Sequence, residues 1–247
     1  MKPWNGPAAP RFHFDGPLSA GAEVELPSRA AHHVGVLRLR AEDPIALFNG
    51  SGGEYECALV RVTREGVRAR VIAWRDRERE SALRITLAQG LASGERMDLV
   101  LQKATELGVC AIQPVAAERS VVRLSDERAD RRLAHWRNLV VAACEQCGRN
   151  RLPEVRPVAT LGEFLAGVGE GPLRLLLSPA GTLRLRDLSP AAQVTLLIGP
   201  EGGLSEAEEN RAMQAGFAAA RLGPRVLRTE TAPIAAIAAL QSMWGDG

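Results

Sequence analysis

The apolar pattern of the chain changes at Arg75–Glu80, written RDRERE, six residues without one apolar side chain. Before this stretch, short apolar runs are separated by glycine-rich turns. After it, apolar runs of strand length alternate with amphipathic segments of helix length. A chain with such a break reads as two domains: a small β-rich one, then an α/β domain with a parallel sheet covered by helices on both faces. The 247 residues provide enough chain for both cores. The expected domains are residues 1–76 and 77–247.

In the first domain, Arg11–Phe14, Glu23–Leu26, Ile45–Phe48, Tyr55–Val62 and Val67–Trp74 read as strands. Ser28–Leu39 reads as a helix with Ser28 at its N-cap. The turn Asn49-Gly50-Ser51-Gly52-Gly53 and the even strand spacing suggest a small β-barrel. In the second domain, Leu83–Leu91, Ala111–Val115, Leu173–Leu177, Val194–Ile198 and Ala218–Leu222 read as strands. Apolar residues at helical spacing predict helices over Glu95–Leu107, Asp126–Cys147 and Thr231–Trp244, with a shorter one at Leu161–Leu165. Ser205-Glu206-Ala207-Glu208 is a capping box opening a helix that runs to about Ala215.

The composition, 46% apolar and 24% charged, is that of an ordinary globular protein. No apolar run approaches the roughly 20 residues of a membrane-spanning helix, and no secretory signal is visible at the start. Four cysteines in 247 residues make no disulfide scaffold, so reduced thiols and a cytoplasmic location are expected. The net charge of +2 excludes a global polyelectrolyte. The span Arg119–Arg156, however, holds nine arginines against five acids, a local basic strip of the kind a nucleic-acid binder carries.

Two C-terminal loops stand where a parallel sheet binds ligands, after the carboxyl ends of strands. The first is Gly199-Pro200-Glu201-Gly202-Gly203-Leu204-Ser205; its glycines let a ligand approach the backbone. It has neither a P-loop nor a dinucleotide fingerprint, and Glu201 and Glu206 repel phosphate, so a neutral or cationic ligand suits it. A plain tight turn before a helix is the structural alternative. The second loop, Leu222 to Ala232, gathers Arg228, Thr229, Glu230 and Thr231. Its alternative reading is a helix cap made by Thr229 or Thr231, with Glu230 in the first turn. No metal site is expected: Cys144-x-x-Cys147 lacks a second pair, His32-His33 lacks further ligands, and His135 reads as exposed.

Together, LLIGPEGGLSEAE and LGPRVLRTETA resemble the ribosomal RNA small subunit methyltransferase E family, of the SPOUT class. RFHF at Arg11–Phe14, HHVGVLRLRAEDPIALFNGSGGEYECAL, QKATELGVCAIQPVAAERS and AACEQCGRNRLPEV agree in the same order. Only the leading PWNGPAA departs from the pattern and reads as a leader. The resemblance implies a PUA-like N-terminal β-barrel and a SPOUT domain with a deep trefoil knot. It implies methylation of N3 of a uridine in 16S ribosomal RNA, within an assembled or assembling 30S subunit, with S-adenosylmethionine as cofactor. It implies a cofactor site at Leu177, Ser178, Ile198, Gly199, Pro200, Glu201, Gly202, Leu222, Leu227 and Arg228. A homodimer follows as well, and the apolar stripe Ile234, Ile237, Leu240 and Trp244 offers it a face.

For the chemistry, uridine N3 must lose its imide proton before it attacks the methyl group. A cation near O2 or O4 stabilises the resulting charge. Arg228 is the first candidate and Arg11 the second, while Glu230 orients Arg228, accepts the proton or caps the helix. Arg11, Arg131, Arg132, Glu145, Gln146 and Arg149 are candidates for RNA contact, the last three alternatively for the partner subunit. Two rival readings are a knotted methyltransferase acting on transfer RNA and an RNA-binding module without catalysis.

Overall fold

The computed structural model describes residues 9–120 and 126–247. It divides into two compact units. One holds the chain through Glu80 together with Cys144–Leu152; the other holds Ser81–Ala143 and Pro153–Gly247. Apart from Ala9, the expected leader lies outside the described residues.

The N-terminal unit contains β1 (Arg11–His13), β2 (Glu23–Glu25), α1 (Ser28–Val36), β3 (Pro44–Phe48), β4 (Glu54–Val62) and β5 (Val67–Arg75). The strands form one sheet in the order β1-β3-β4-β5-β2. β1 runs parallel to β3, while the other neighbours are antiparallel. Strand β5 shows the period-two logic of such a sheet: Val67, Ala69 and Val71 are buried while Arg68, Arg70 and Ile72 point outward. The inward side chains join Phe12, Val34, Ile45, Leu47 and Leu59 in one core. Helix α1 differs from expectation at both ends. Pro27 occupies the N-cap without a side-chain bond, so Ser28 is already helical. Leu37 ends the helix, and Arg38 turns into the left-handed region at φ +55°, which keeps Leu39 out.

The C-terminal unit begins with β6 (Arg84–Gly90), α2 (Gly94–Glu106), β7 (Ala111–Ala116) and α3 (Asp126–Cys147), whose last residues from Cys144 belong to the first unit. It continues through β8 (Glu154–Val155), β9 (Ala159–Thr160), α4 (Leu161–Gly167), β10 (Leu173–Leu177) and β11 (Leu183–Arg184). It ends with β12 (Gln193–Ile198), α5 (Glu206–Gln214), β13 (Ala218–Arg221) and α6 (Thr231–Trp244). Among the described residues these strands form an eight-stranded sheet, ordered β11-β13-β10-β12-β6-β7-β8 with β9 on β7. Every pairing in it is parallel. Val194–Ile198 is buried without alternation, as a central strand covered on both faces must be. The chain between β10 and β11 presses on β13 so closely that a Cβ on Gly181 would lie 2.7 Å from the Ala220 carbonyl carbon.

Helix α2 buries Met97, Val100, Leu101 and Ala104 and packs against α6. Within this unit α6 already buries Ile237 and Leu240, and half-buries Ile234 and Trp244. The stripe expected to need a partner is therefore largely covered by its own chain. Among the described residues no helix is long and apolar enough to cross a membrane.

Candidate active site

The register of the parallel sheet brings three strand ends to one level: Leu177 of β10 faces Ile198 of β12, and Ile198 faces Gln89 of β6. Just beyond them, the chain opens a cavity of about 580 Å³. Leu177, Ser178, Ile198, Gly199, Pro200, Glu201, Gly202, Leu222, Leu227, Arg228 and Glu230 all line it. So do Thr229 and the arginines Arg96, Arg221 and Arg225.

The first loop is held on several sides. A turn closes it, with Gly203 N–H donating to Pro200 O at 2.9 Å, and the Ser205 capping box starts α5 directly behind. Glu208 of that box is buried, and its carboxylate also accepts from Glu118 N–H at 2.9 Å. From outside, Arg119 donates to Gly202 O and Leu204 O, both at 3.3 Å. The glycines serve packing as much as ligand access. A Cβ on Gly202 would lie 2.9 Å from Arg119 Cβ, and one on Gly199 2.9 Å from Leu204 N. On the opposite wall, Ser178 is buried and its hydroxyl donates to Glu209 at 3.2 Å.

The second loop uses its polar residues in ways the sequence did not indicate. Helix α6 has Glu230 at its N-cap position, and no side chain caps it. Instead the Arg228 carbonyl accepts from Thr231 N–H at 2.9 Å and Ala232 N–H at 3.0 Å. Thr229 is buried, and its hydroxyl donates to Gly199 O at 2.9 Å, tying the second loop to the first. The cap readings for Thr229 and Thr231 therefore give way to a loop-to-loop bond.

The charges are sorted by depth. Glu201 Oε1 accepts from Ser93 N–H at 2.8 Å and from Arg96 at 3.2 Å. Burial alone pushes the Glu201 carboxyl up, but these bonds outweigh it and hold it below the usual range. Glu230 lies 3.9 Å from Arg96 and 4.0 Å from Arg228. The Oε2 atoms of Glu201 and Glu230 are both buried and accept no hydrogen bond among the described residues. In contrast, the Arg228 side chain is 80% exposed, and Arg221 and Arg225 at the rim form no ion pair among the described residues.

The RNA methyltransferase domain family matches residues 79–241, and the RNA methyltransferase PUA domain family matches residues 26–72. Ribosomal RNA small subunit methyltransferase E of Bacillus subtilis is 34% identical over 85% of this chain and 85% of its own length. The chain belongs to the ribosomal RNA small subunit methyltransferase E family. The member from Neisseria gonorrhoeae, solved bound to S-adenosylmethionine, is 44% identical with a TM-score of 0.91, over 96% of this chain and 99% of that one. A Legionella pneumophila methyltransferase, solved with the same cofactor bound, is 40% identical with a TM-score of 0.93, over 97% and 99% of the two chains. The N-terminal unit is thus the PUA-like part, and the C-terminal unit is the parallel-sheet SPOUT-type domain.

In this family member, the remaining expected residues are not at the cavity. Arg11 belongs to the N-terminal unit, where its guanidinium pairs with Glu54 and donates to Asn150 Oδ1 at 2.5 Å and Arg149 O at 3.2 Å. It also stacks 5.0 Å from the Phe48 ring centroid. Arg149 is likewise buried, donating to Glu80 at 2.9 Å. Both were expected to reach RNA, but a guanidinium enclosed by its partners has no surface to offer. Glu145 is committed as well, accepting from His13 N–H at 3.0 Å and Arg29 at 2.7 Å. Gln146 and Arg131 are exposed, and Arg132 is half-buried. Gln89, Arg96 and Arg119 shape the site without having been expected there. Only Gln89, a buried polar residue in the apolar strand RITLAQG, left a trace in the sequence.

Proposed function

We propose that this chain is an S-adenosylmethionine-dependent methyltransferase that modifies N3 of a uridine in 16S ribosomal RNA. The observation that carries the reading is the sorting of charge by depth in one cavity. Half-buried carboxylates, each with one oxygen that accepts no hydrogen bond, lie inside, and the exposed Arg221, Arg225 and Arg228 stand at the rim. S-adenosylmethionine carries a sulfonium cation and no phosphate, so the inner wall fits it and disfavours a nucleotide phosphate. Glu201 and the backbone of Ile198–Gly202 are the groups that hold it. The cofactor supplies an electrophilic methyl group.

The chain's own residues position the base and stabilise its charge. The exposed Arg228 approaches O2 or O4 of a uracil from the rim and stabilises the anion left when N3 gives its proton to solvent water. Glu230, 4.0 Å from Arg228, orients it. Arg221 and Arg225 extend the positive rim for RNA phosphates. The substrate is the 30S particle or its precursor, the location is cytoplasmic, and the enzyme acts as a homodimer; family resemblance supports these last points. The test is methylation of unmodified 30S subunits by the purified protein, followed by nucleoside mass spectrometry of the 16S RNA. 3-Methyluridine is the expected product. A different methylated nucleoside overturns the N3 assignment, and modification of transfer RNA alone overturns the substrate.

A further inference from the structure

The two cavity loops meet on one buried amide. Gln89 is fully buried at the carboxyl end of β6, and its Nε2 faces three atoms: Thr229 Oγ1 at 3.1 Å, Gly90 O at 3.1 Å and Gly199 O at 3.4 Å. The Thr229 hydroxyl gives its single proton to Gly199 O, so toward Gln89 it is an acceptor. All three neighbours are therefore acceptors, and the NH₂ end of the amide must face them. Its Oε1 is buried without a partner. On burial alone, an apolar side chain would suit this strand better. The approach of the backbones here is also tight, since a Cβ on Gly90 would lie 2.4 Å from Pro200 N.

We propose that Gln89 is a positioning residue for methyl transfer. Through Thr229 and Gly199 it locks the second loop to the first. It thereby sets where Arg228 and Glu230, the neighbours of Thr229 in the chain, stand relative to Gly199–Gly202. Gln89 does not line the cavity, so it acts only through the loops. The inference rests on the reading of the cavity as the cofactor and base site. A displacement of about 1 Å in a catalytic group costs up to about a hundredfold in rate, so losing this lock should register in turnover before it registers in folding.

The experiment uses the full chain with S-adenosylmethionine and 30S subunits. Gln89→Met keeps the length and removes the donor. Gln89→Glu keeps the shape and sets acceptor against acceptor. Thr229→Val removes the hydroxyl, and Thr229→Ser restores it. We expect Gln89→Met and Thr229→Val each to lower kcat about tenfold or more with little change in melting temperature. The double variant should fall no further than the worse single one, because both break the same chain of bonds. Gln89→Glu should lose at least as much as Gln89→Met, and Thr229→Ser should recover most of what Thr229→Val loses. Losses that multiply in the double variant overturn the proposal, as does wild-type kcat in Thr229→Val or a loss of kcat that only follows melting temperature. If Gln89→Glu does not fold, the Gln89→Met and Thr229→Val cycle decides alone. Calorimetry on the wild type separates the two levels. No cofactor binding there overturns the site reading itself, while normal binding with unaffected variants overturns only the role of Gln89.

Discussion

The buried network of the N-terminal unit and the cavity of the C-terminal unit use the same two residue types in opposite ways. Glu54 accepts from both Arg11 and Arg77, Glu80 takes Arg149, and Asn150 closes the network by donating to the Arg77 carbonyl. Each guanidinium there is matched to a carboxylate, and those of Arg11 and Arg149 are withdrawn from water. At the cavity, two half-buried carboxylates each keep an oxygen that accepts no hydrogen bond, and the arginines around them are exposed: Arg96 and Arg228 meet them only from the solvent side, and Arg221 and Arg225 form no ion pair among the described residues. Charges paired and enclosed fix a structure; charges that stay exposed or keep an open oxygen are available to a ligand. The difference explains why the arginines of the first region are structural and those of the second are candidates for chemistry.

The largest expected effect breaks the first region. Glu54→Gln leaves the Arg11 guanidinium, only 8% exposed, without the anion that faces it, and breaking a buried pair in this way costs about 3–5 kcal/mol. Denaturant unfolding should show the loss, while calorimetric binding of S-adenosylmethionine to the folded protein should change little. A parallel collapse of cofactor binding would show that the two regions are not separable in function. Next in size is Arg228→Ala. Removing one preorganised donor costs roughly a hundred- to a thousand-fold in rate. At 80% exposure the side chain holds little structure, so cofactor affinity should stay within about tenfold, or roughly 1.4 kcal/mol. Single-turnover methylation beside calorimetry separates the two. Equal losses in both would make Arg228 a binding residue.

How far these contrasts were legible in the sequence depends on where each interaction starts and ends. Several elements were readable to within a residue: Thr231–Trp244 and Leu173–Leu177 stand as expected, the helix expected over Glu95–Leu107 runs from Gly94 to Glu106, the long helix ends at Cys147 as expected, and the Ser205 capping box is present. The two-residue strands β8, β9 and β11 were not readable, because two residues carry no period. The cavity loops were visible because position after a parallel strand is a property of local order. Their supports were not: Gln89 is 140 residues from Thr229, and Arg119 is 83 from Gly202. The arginine-rich span showed the same limit. Arg131 and Arg149 look alike in a charge count, yet one is exposed and the other is enclosed by Glu80 and its own neighbours.

The rim gives a smaller effect. Arg221 and Arg225 lie exposed beside the cavity and have no ion pair among the described residues. Replacing Arg225 by Ala should weaken RNA binding about uniformly across sequences and reduce the slope of log affinity against log salt by about 1. Arg149→Ala, by contrast, should act through stability and leave the salt slope alone. If the slopes move the other way round, the rim is not the phosphate footprint.

The smallest effect is a pH dependence inside the cavity. Burial raises the Glu201 carboxyl, but the Ser93 N–H and the Arg96 guanidinium favour its charged form more strongly, so its pKa in the folded chain lies below the ordinary value. Such a group stabilises the fold fully above its unfolded pKa, about 4.3 for a glutamate, and loses that contribution as pH falls through the folded value. Glu201→Gln removes the titration while keeping the shape. The variant should therefore be slightly less stable than wild type near neutrality, and the two should converge as the pH drops below about 4. Melting curves over that range would show it. Parallel curves would mean that Glu201 is not held in its charged form by Ser93 and Arg96. The carboxylate would still be ionised near neutrality, but these two donors would contribute nothing to holding that charge.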